Sequence, residues 1–159
     1  MDVLLESDQL RLQELVERLQ RDTNALAVLL LNRDGQEMAR AGQTTGLDIT
    51  SLSSLFAGNV AATSEIARLL KEKEFEGQFH EGTTCSIHLS VVAQRAILAV
   101  LFNQQSSLGL VRLRVRRATE DMARLLAQPT LVSVDQERTL FTGGAFADAE
   151  LDRLFGGKR

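Results

Sequence analysis

His80, His88 and Cys85 are the side chains of this sequence that could ligate a metal ion or attack an electrophile, and they fall in one short stretch. A zinc site needs three or four nitrogen, sulfur or oxygen ligands converging on one point. The two imidazoles have no third and fourth ligand at a supportive spacing. Glu81 is adjacent to His80, but neighbours on a strand point to opposite faces. The pattern predicts ordinary surface or edge-strand histidines. Cys85 opens the alternating segment Cys85-Ser-Ile-His-Leu-Ser-Val91. A thiol there packs as a small hydrophobe, whereas reactive thiolates sit at helix starts or in electropositive pockets. Gly35, Gly42, Gly46, Gly58, Gly77, Gly82 and Gly109 compose neither a Walker loop nor a dinucleotide fingerprint, so nucleotide chemistry has no cradle. Arg112, Arg114, Arg116 and Arg117 make a local basic cluster. Without interleaved Trp or Tyr it lacks the stacking platform of a single-strand binder, and it reads as a solvated helix face pairing with Glu120 and Asp121. No catalytic residue, cofactor-binding residue or metal ligand is assigned, and no cofactor is expected.

Composition points the same way. The chain has 159 residues, one Cys, two His, one Pro and neither Trp nor Tyr, with 44% hydrophobic and 25% charged residues. That length fits one compact domain with an extension. A lone Cys closes no intramolecular disulfide, which favours the cytoplasm. A net charge of −3 gives no electrostatic case for nucleic acid or an anionic membrane. The start, MDVLLESDQL, carries acids where a signal peptide needs bases. The longest nearly uncharged stretch, Ala96 to Leu110, falls well short of the roughly 20 apolar residues of a membrane span, so membrane insertion is not expected.

Periodicity predicts the elements. Leu12, Leu15, Val16 and Leu19 recur at helical spacing between Ser7 and Asp22, with Ser7 or Asp8 as cap. Ala25 to Leu31 is an apolar run too short for a helix and reads as a strand buried on both faces. Asn32-Arg-Asp-Gly35 turns the chain into a second strand, Gln36 to Ala41, and Gly42 to Gly46 is a loop. Asp48 caps a long helix from Ile49 to about Lys73, with Leu47 as a hydrophobic staple. Strands are then expected at Phe79 to Thr83, Cys85 to Val91 and Ala96 to Phe102, the last two joined by a turn at Ala93-Gln-Arg95. The two uninterrupted apolar runs are the candidates for central strands. Leu108, Val111, Val115, Ala118, Met122 and Leu125 keep helical spacing, despite the strand-like alternation of Val111 to Val115. The helix they predict runs to Gln128 and ends at Pro129.

Two stripes run along the long helix. Leu52, Leu55, Phe56, Ile66, Leu69 and Leu70 are large and are expected to face a core. Ser54, Ala57, Gly58, Ala61, Ser64 and Glu65 form a second stripe of mostly small residues. Gly inside a helix costs about 1 kcal/mol relative to Ala, and close approach of another backbone is the usual compensation. The stripe fits either tight packing on its own sheet or a flat surface for another helix or protein. Beyond Pro129 the periodicity is lost. Phe146, Leu151, Leu154 and Phe155 then form the greasy side of a segment too short to be helical alone in water, so it must dock on something. The expected organisation is a domain over 1–128, a flexible linker over 129–147, and a short C-terminal amphipathic helix and end over 148–159.

The order helix, two strands, helix, three strands, helix resembles the Roadblock family of dynein-light-chain-like domains. Four segments are similar to the MglB branch of that family, whose members serve bacterial gliding motility and cell polarity. They are Gly42-Gln-Thr44; Leu52-x-x-Leu55 running into Ala57-Gly-Asn-Val-Ala-Ala62; Glu74-Phe-x-x-Gln-Phe-His-Glu-Gly82; and Ser106-Ser-Leu-Gly-Leu-Val-Arg-Leu-Arg114. The likeness covers about residues 8 to 128. The acidic segment from Phe146 to Phe155 is also similar to the C-terminal helix of some MglB proteins.

The resemblance implies an α/β (α+β) fold: a Roadblock/profilin-like three-layer sandwich with a five-stranded antiparallel sheet and the order α-β-β-α-β-β-β-α. It implies a cytoplasmic homodimer, recruited to a cell pole, whose sheets join edge to edge. The two central helices then lie side by side as a platform for one Ras-like small GTPase of the MglA type per dimer. The implied role is that of a GTPase activator that remodels its partner's active site without donating a catalytic residue, so it is a regulator and not an enzyme. Carried over by position, Ser54, Ala57, Gly58, Ala61, Ser64, Glu65 and Arg68 fall on the platform. Phe146, Leu151, Leu154 and Phe155 fall on the C-terminal docking segment. Glu65 departs from the small residue common at its place. Because positioning and electrostatics supply most of phosphoryl-transfer catalysis, such an activator needs no nucleophile or metal ligand of its own. The alternative is an adaptor dimer that binds a GTPase or polarity partner without accelerating hydrolysis. A small-molecule sensor is the third reading, and its roomy apolar pocket is opposed by the tightly apolar strands.

Overall fold

The computed structural model describes residues 4–127. The expected linker and the docking residues Phe146, Leu151, Leu154 and Phe155 lie outside the described residues. The elements are α1 (Glu6–Thr23), β1 (Ala27–Asn32), β2 (Glu37–Gly42), α2 (Ile49–Leu69), β3 (Gly77–His80), β4 (Ser86–Val92), β5 (Ala96–Phe102) and α3 (Leu108–Leu126). Their order is the expected one.

The strands make one antiparallel sheet in the order β2-β1-β5-β4-β3. The two apolar runs, β1 and β5, lie side by side at its centre, in register from Ala27 opposite Leu101 to Asn32 opposite Ala96. Both faces of these strands are buried, and for that reason neither shows polar alternation. Val28, Leu30, Leu98 and Val100 point to one side and pack with Val16 of α1 and Val111, Val115 and Met122 of α3. Leu29, Leu31, Ile97 and Leu101 point to the other and pack with Phe56, Ala57 and Val60 of α2. The result is a three-layer α+β sandwich in which, among the described residues, α2 covers one face.

Local chemistry explains the joints. Asn32 Oδ1 accepts from the backbone N–H groups of Asp34 and Gln36 at 3.0 and 2.9 Å, and Gly35 takes φ +87°, so the β1–β2 turn forms as expected. Ala93 and Gln94 both adopt positive φ in the tight β4–β5 turn. Asp48 caps α2, accepting from the backbone N–H of Ser51 at 3.1 Å and from its hydroxyl at 2.6 Å. Those bonds favour the ionised form and hold the Asp48 carboxyl below its ordinary pKa. Ser107 caps α3 through the N–H of Leu110.

Several expectations need correction. Neither Ser7 nor Asp8 caps α1: Leu5 occupies the cap position without a side-chain bond, and Asp8 sits with Glu6 in the first turn, where negative charge favours the helix dipole. Leu47 stays 41% exposed beside the Asp48 cap. α2 stops at Leu69 and not near Lys73, because Lys71 turns left-handed at φ 59°. The N–H groups of Lys71 and Glu72 return to the carbonyls of Arg68 and Ala67, a closing motif that satisfies the helix end. β3 begins at Gly77 and ends at His80, earlier than the expected Phe79 to Thr83. No helix among the described residues is long and apolar enough to cross a membrane.

Candidate functional site

The site is built on α2, whose sheet-facing side is unexpectedly slim. Its buried residues are Ile49, Ser53, Phe56, Ala57, Val60 and Ala67. Of the large residues expected to face the core, Phe56 does so and Leu52 is half-buried. Leu55, Ile66, Leu69 and Leu70 are instead 69%, 50%, 69% and 63% exposed. The physical reason lies in the sheet. Leu29, Leu31, Leu89, Ile97 and Leu101 line the sheet beneath α2, and Ile49, Phe56, Ala57 and Val60 are enough to cover them, which leaves the other large residues of the helix outside the contact. Leu55, Ala62, Ile66 and Leu69 consequently share an outward face at helical spacing.

The small stripe divides into two parts. Ala57 is buried, and the β1–β2 turn comes close to it: a Cβ on Gly35 would lie 3.0 Å from the Ser53 carbonyl oxygen and 3.3 Å from the Ala57 Cβ. Tight packing within the chain therefore accounts for Ala57. It does not account for Gly58, which has nothing within 4 Å of the place a Cβ would take. Ser54, Gly58, Ala61, Glu65 and Arg68 are exposed, and Ser64 is half-buried.

Charge on this face is paired. Arg68 Nε donates to both Glu65 carboxylate oxygens at 3.0 Å. The pairing holds the Glu65 carboxyl below its ordinary pKa and raises that of the Arg68 guanidinium. Glu65 is thus a neutralised charge at the edge of the stripe. Ser64 belongs to a cluster that sequence reasoning missed. Its hydroxyl donates to Glu74 Oε1 at 3.1 Å and accepts from Arg33 Nη2 at 3.2 Å. Arg33 Nη1 also reaches Glu74 at 3.4 Å and the Gln94 carbonyl at 3.2 Å. This cluster ties the β1–β2 and β4–β5 turns and the segment after α2 to the C-terminal part of the helix.

The remaining chemical candidates do not converge on a metal-binding or nucleophilic centre among the described residues. His80 pairs with Ile87 and His88 with Phe79 in the β3–β4 register, so the imidazoles face opposite sides of the sheet. No group of three or more His, Cys, Asp or Glu that could hold a metal exists among the described residues. His88 is not the surface histidine expected. It is 6% exposed on the inner strand β4, and burial, reinforced by Arg112, pushes its pKa down. Burial pushes the Cys85 thiol up, which leaves it protonated and a poor nucleophile. Arg112, Arg114, Arg116 and Arg117 are exposed as expected, but Asp121 pairs with Arg124 and not with any of them.

With this geometry in place, known proteins supply a comparison. The model of the Roadblock/LC7 domain matches residues 11–102. A solved structure of MglB from Myxococcus xanthus is 43% identical, with 74% of this chain and 95% of that chain covered and a TM-score of 0.71. The gliding protein MglB of Thermus thermophilus is 32% identical, with 77% and 93% covered and a TM-score of 0.71. A structure described as MglB with tetrameric arrangement is 31% identical, with the same coverage of 77% and 93% and a TM-score of 0.71. No curated protein matches the chain.

Proposed function

Because this chain belongs to the Roadblock/LC7 family and stands close to the MglB proteins, we propose that it is a dimeric activator of a Ras-like small GTPase of the MglA type. The observation that carries this reading is the double character of α2. Leu55, Ala62, Ile66 and Leu69 form an apolar face that the fold leaves in water, as a helix paired with a second copy would. β3 lies at the sheet edge, so its outer backbone groups are available to the same second copy. Beside that seam, Ser54, Gly58, Ala61, Ser64, Glu65 and Arg68, with the buried Ala57 beneath them, form the platform. Two such stripes side by side make one shallow surface that takes one GTPase per dimer.

The platform holds no nucleophile and no metal ligand. Its effect is to press the GTPase's own groups into place around the transferring phosphoryl, where positioning and electrostatics dominate the barrier. The protein is then a regulator with no active site of its own, acting in the cytoplasm and at a cell pole in polarity and gliding. Phe146, Leu151, Leu154 and Phe155 supply a second contact with the GTPase.

The test is GTP hydrolysis by the cognate GTPase with and without the chain. Acceleration is expected. Its absence at several-fold molar excess, with binding retained, would leave the adaptor reading in its place. Ala61→Arg should abolish GTPase binding while leaving the circular dichroism spectrum unchanged. Unaffected binding would move the interface off this face.

A further inference from the structure

The opposite side of the sheet carries an opening. An open groove of about 800 Å³ lies between the β3–β4 edge and α3. Gly77 helps to make it: a Cβ there would sit 3.1 Å from His88 Nε2, so the missing side chain leaves the imidazole its room. Arg112, Val115, Arg116 and Thr119 recur at helical spacing and line it from one face of α3.

The polar groups here are poorly served by the fold itself. His88 is 6% exposed, and its Nδ1 is buried without a hydrogen-bond partner among the described residues. An unmet buried polar group costs about 1–3 kcal/mol. Its strand neighbours in register are Phe79 and Val100, so an apolar side chain would suit the sheet better. Arg112 and Arg116, one helical turn apart, form no ion pair with any acid among the described residues, although Glu76 and Glu120 line the same groove. Two unengaged guanidinium forks beside a buried imidazole match the several oxygens of a phosphate group.

We propose that this groove binds a small soluble phosphomonoester, its phosphate held by Arg112 and Arg116 and hydrogen-bonded by His88. Glu76 and Glu120 face an ammonium or hydroxyl group on the same molecule. Burial and Arg112 lower the imidazole's pKa and so favour the neutral ring, which still carries one N–H able to donate to an anion. The site shares no residue with the α2 platform, although its Gly77 belongs to β3, the edge strand assigned to the second copy.

The experiment is an imidazole ¹H–¹⁵N titration of the full chain. His80 and His88 are its two histidines, so each reports on its own surroundings. The probes are inorganic phosphate and O-phosphoserine, at ionic strength matched with chloride. Saturable shifts of His88 are expected, with a Kd on the order of 1 mM or tighter, O-phosphoserine binding better than phosphate and His80 unmoved. Arg112→Gln and Arg116→Gln should each weaken binding about tenfold, the loss expected for a charge-assisted hydrogen bond. Arg114→Gln and Arg117→Gln, on the same helix but outside the groove, should bind as the parent does. Non-saturating shifts, equal shifts at both histidines, or binding that survives loss of both Arg112 and Arg116 would overturn the site. Vesicles containing phosphatidic acid separate a lipid headgroup from a soluble ligand. The chain should stay in the supernatant, and pelleting abolished by Arg112→Gln would assign the groove to lipid and overturn the soluble ligand.

Discussion

His88 occupies a place that an apolar side chain would fill at lower cost, and this has a pH signature. Burial first, and Arg112 second, hold its folded pKa below the ordinary value of about 6.5. Below that value the unfolded chain binds a proton that the folded chain refuses. The folded state therefore keeps its full stability above about pH 6.5 and loses it as pH falls toward the folded pKa. Urea midpoints measured between pH 7.5 and 5 should decline in the parent and decline less in His88→Gln. Parallel curves would mean that His88 titrates alike in both states. Asp48 works in the other window: its depressed folded pKa makes a contribution that is present above about pH 4 and lost only in stronger acid, so the two effects separate.

At the scale of elements, α2 makes a sharper demand. Leu55, Ile66 and Leu69 are at least half exposed in the single chain, and fully burying such a side chain is worth about 1.5–3 kcal/mol. A symmetric helix pair buries each of them twice. Ile66→Glu should therefore convert a dimer to monomers in sedimentation equilibrium at micromolar concentration, with the fold intact by circular dichroism. A persistent dimer would place the seam elsewhere. The same residues mark the limit of what the sequence disclosed. Uninterrupted apolar runs located β1 and β5, Asn32 and Gly35 located the hairpin, and Asp48 located the start of α2. Helical spacing points Leu55, Ile66 and Leu69 to the core, because a sequence records that a side chain avoids water and not which surface removes it. Ala57 went to the platform, although Gly35 already covers it. The Arg33–Ser64–Glu74 cluster left no sequence signal, since Arg33 meets partners 31 and 41 residues away. Gly58, Ala61, Glu65 and Arg68 are open to solvent, and whether they form a platform is decided by the Ala61→Arg binding test.

For the whole molecule, the division into domain, linker and tail is testable by truncation. Within residues 4–127 the two core clusters close around the sheet without the tail, although Leu10 of α1 and Leu113 of α3 are exposed along with Leu55, Ile66 and Leu69 of α2. Deleting residues 145–159 should leave thermal unfolding and the dimer unchanged and weaken GTPase binding. Loss of the dimer would make the tail structural. The strand order carries a further consequence, for synthesis. β1 has β2 as one neighbour and β5 as the other, and β5 is the last of the five strands among the described residues. Before Ala96–Phe102 leaves the ribosome, β1–β2 and β3–β4 are separate hairpins with nothing to join them. Long-range closure of this kind slows folding and leaves apolar strands waiting. A message cut short before Ala96 would leave β1 without β5 beside it, so the fragment is expected to aggregate and not to act as a small folded competitor.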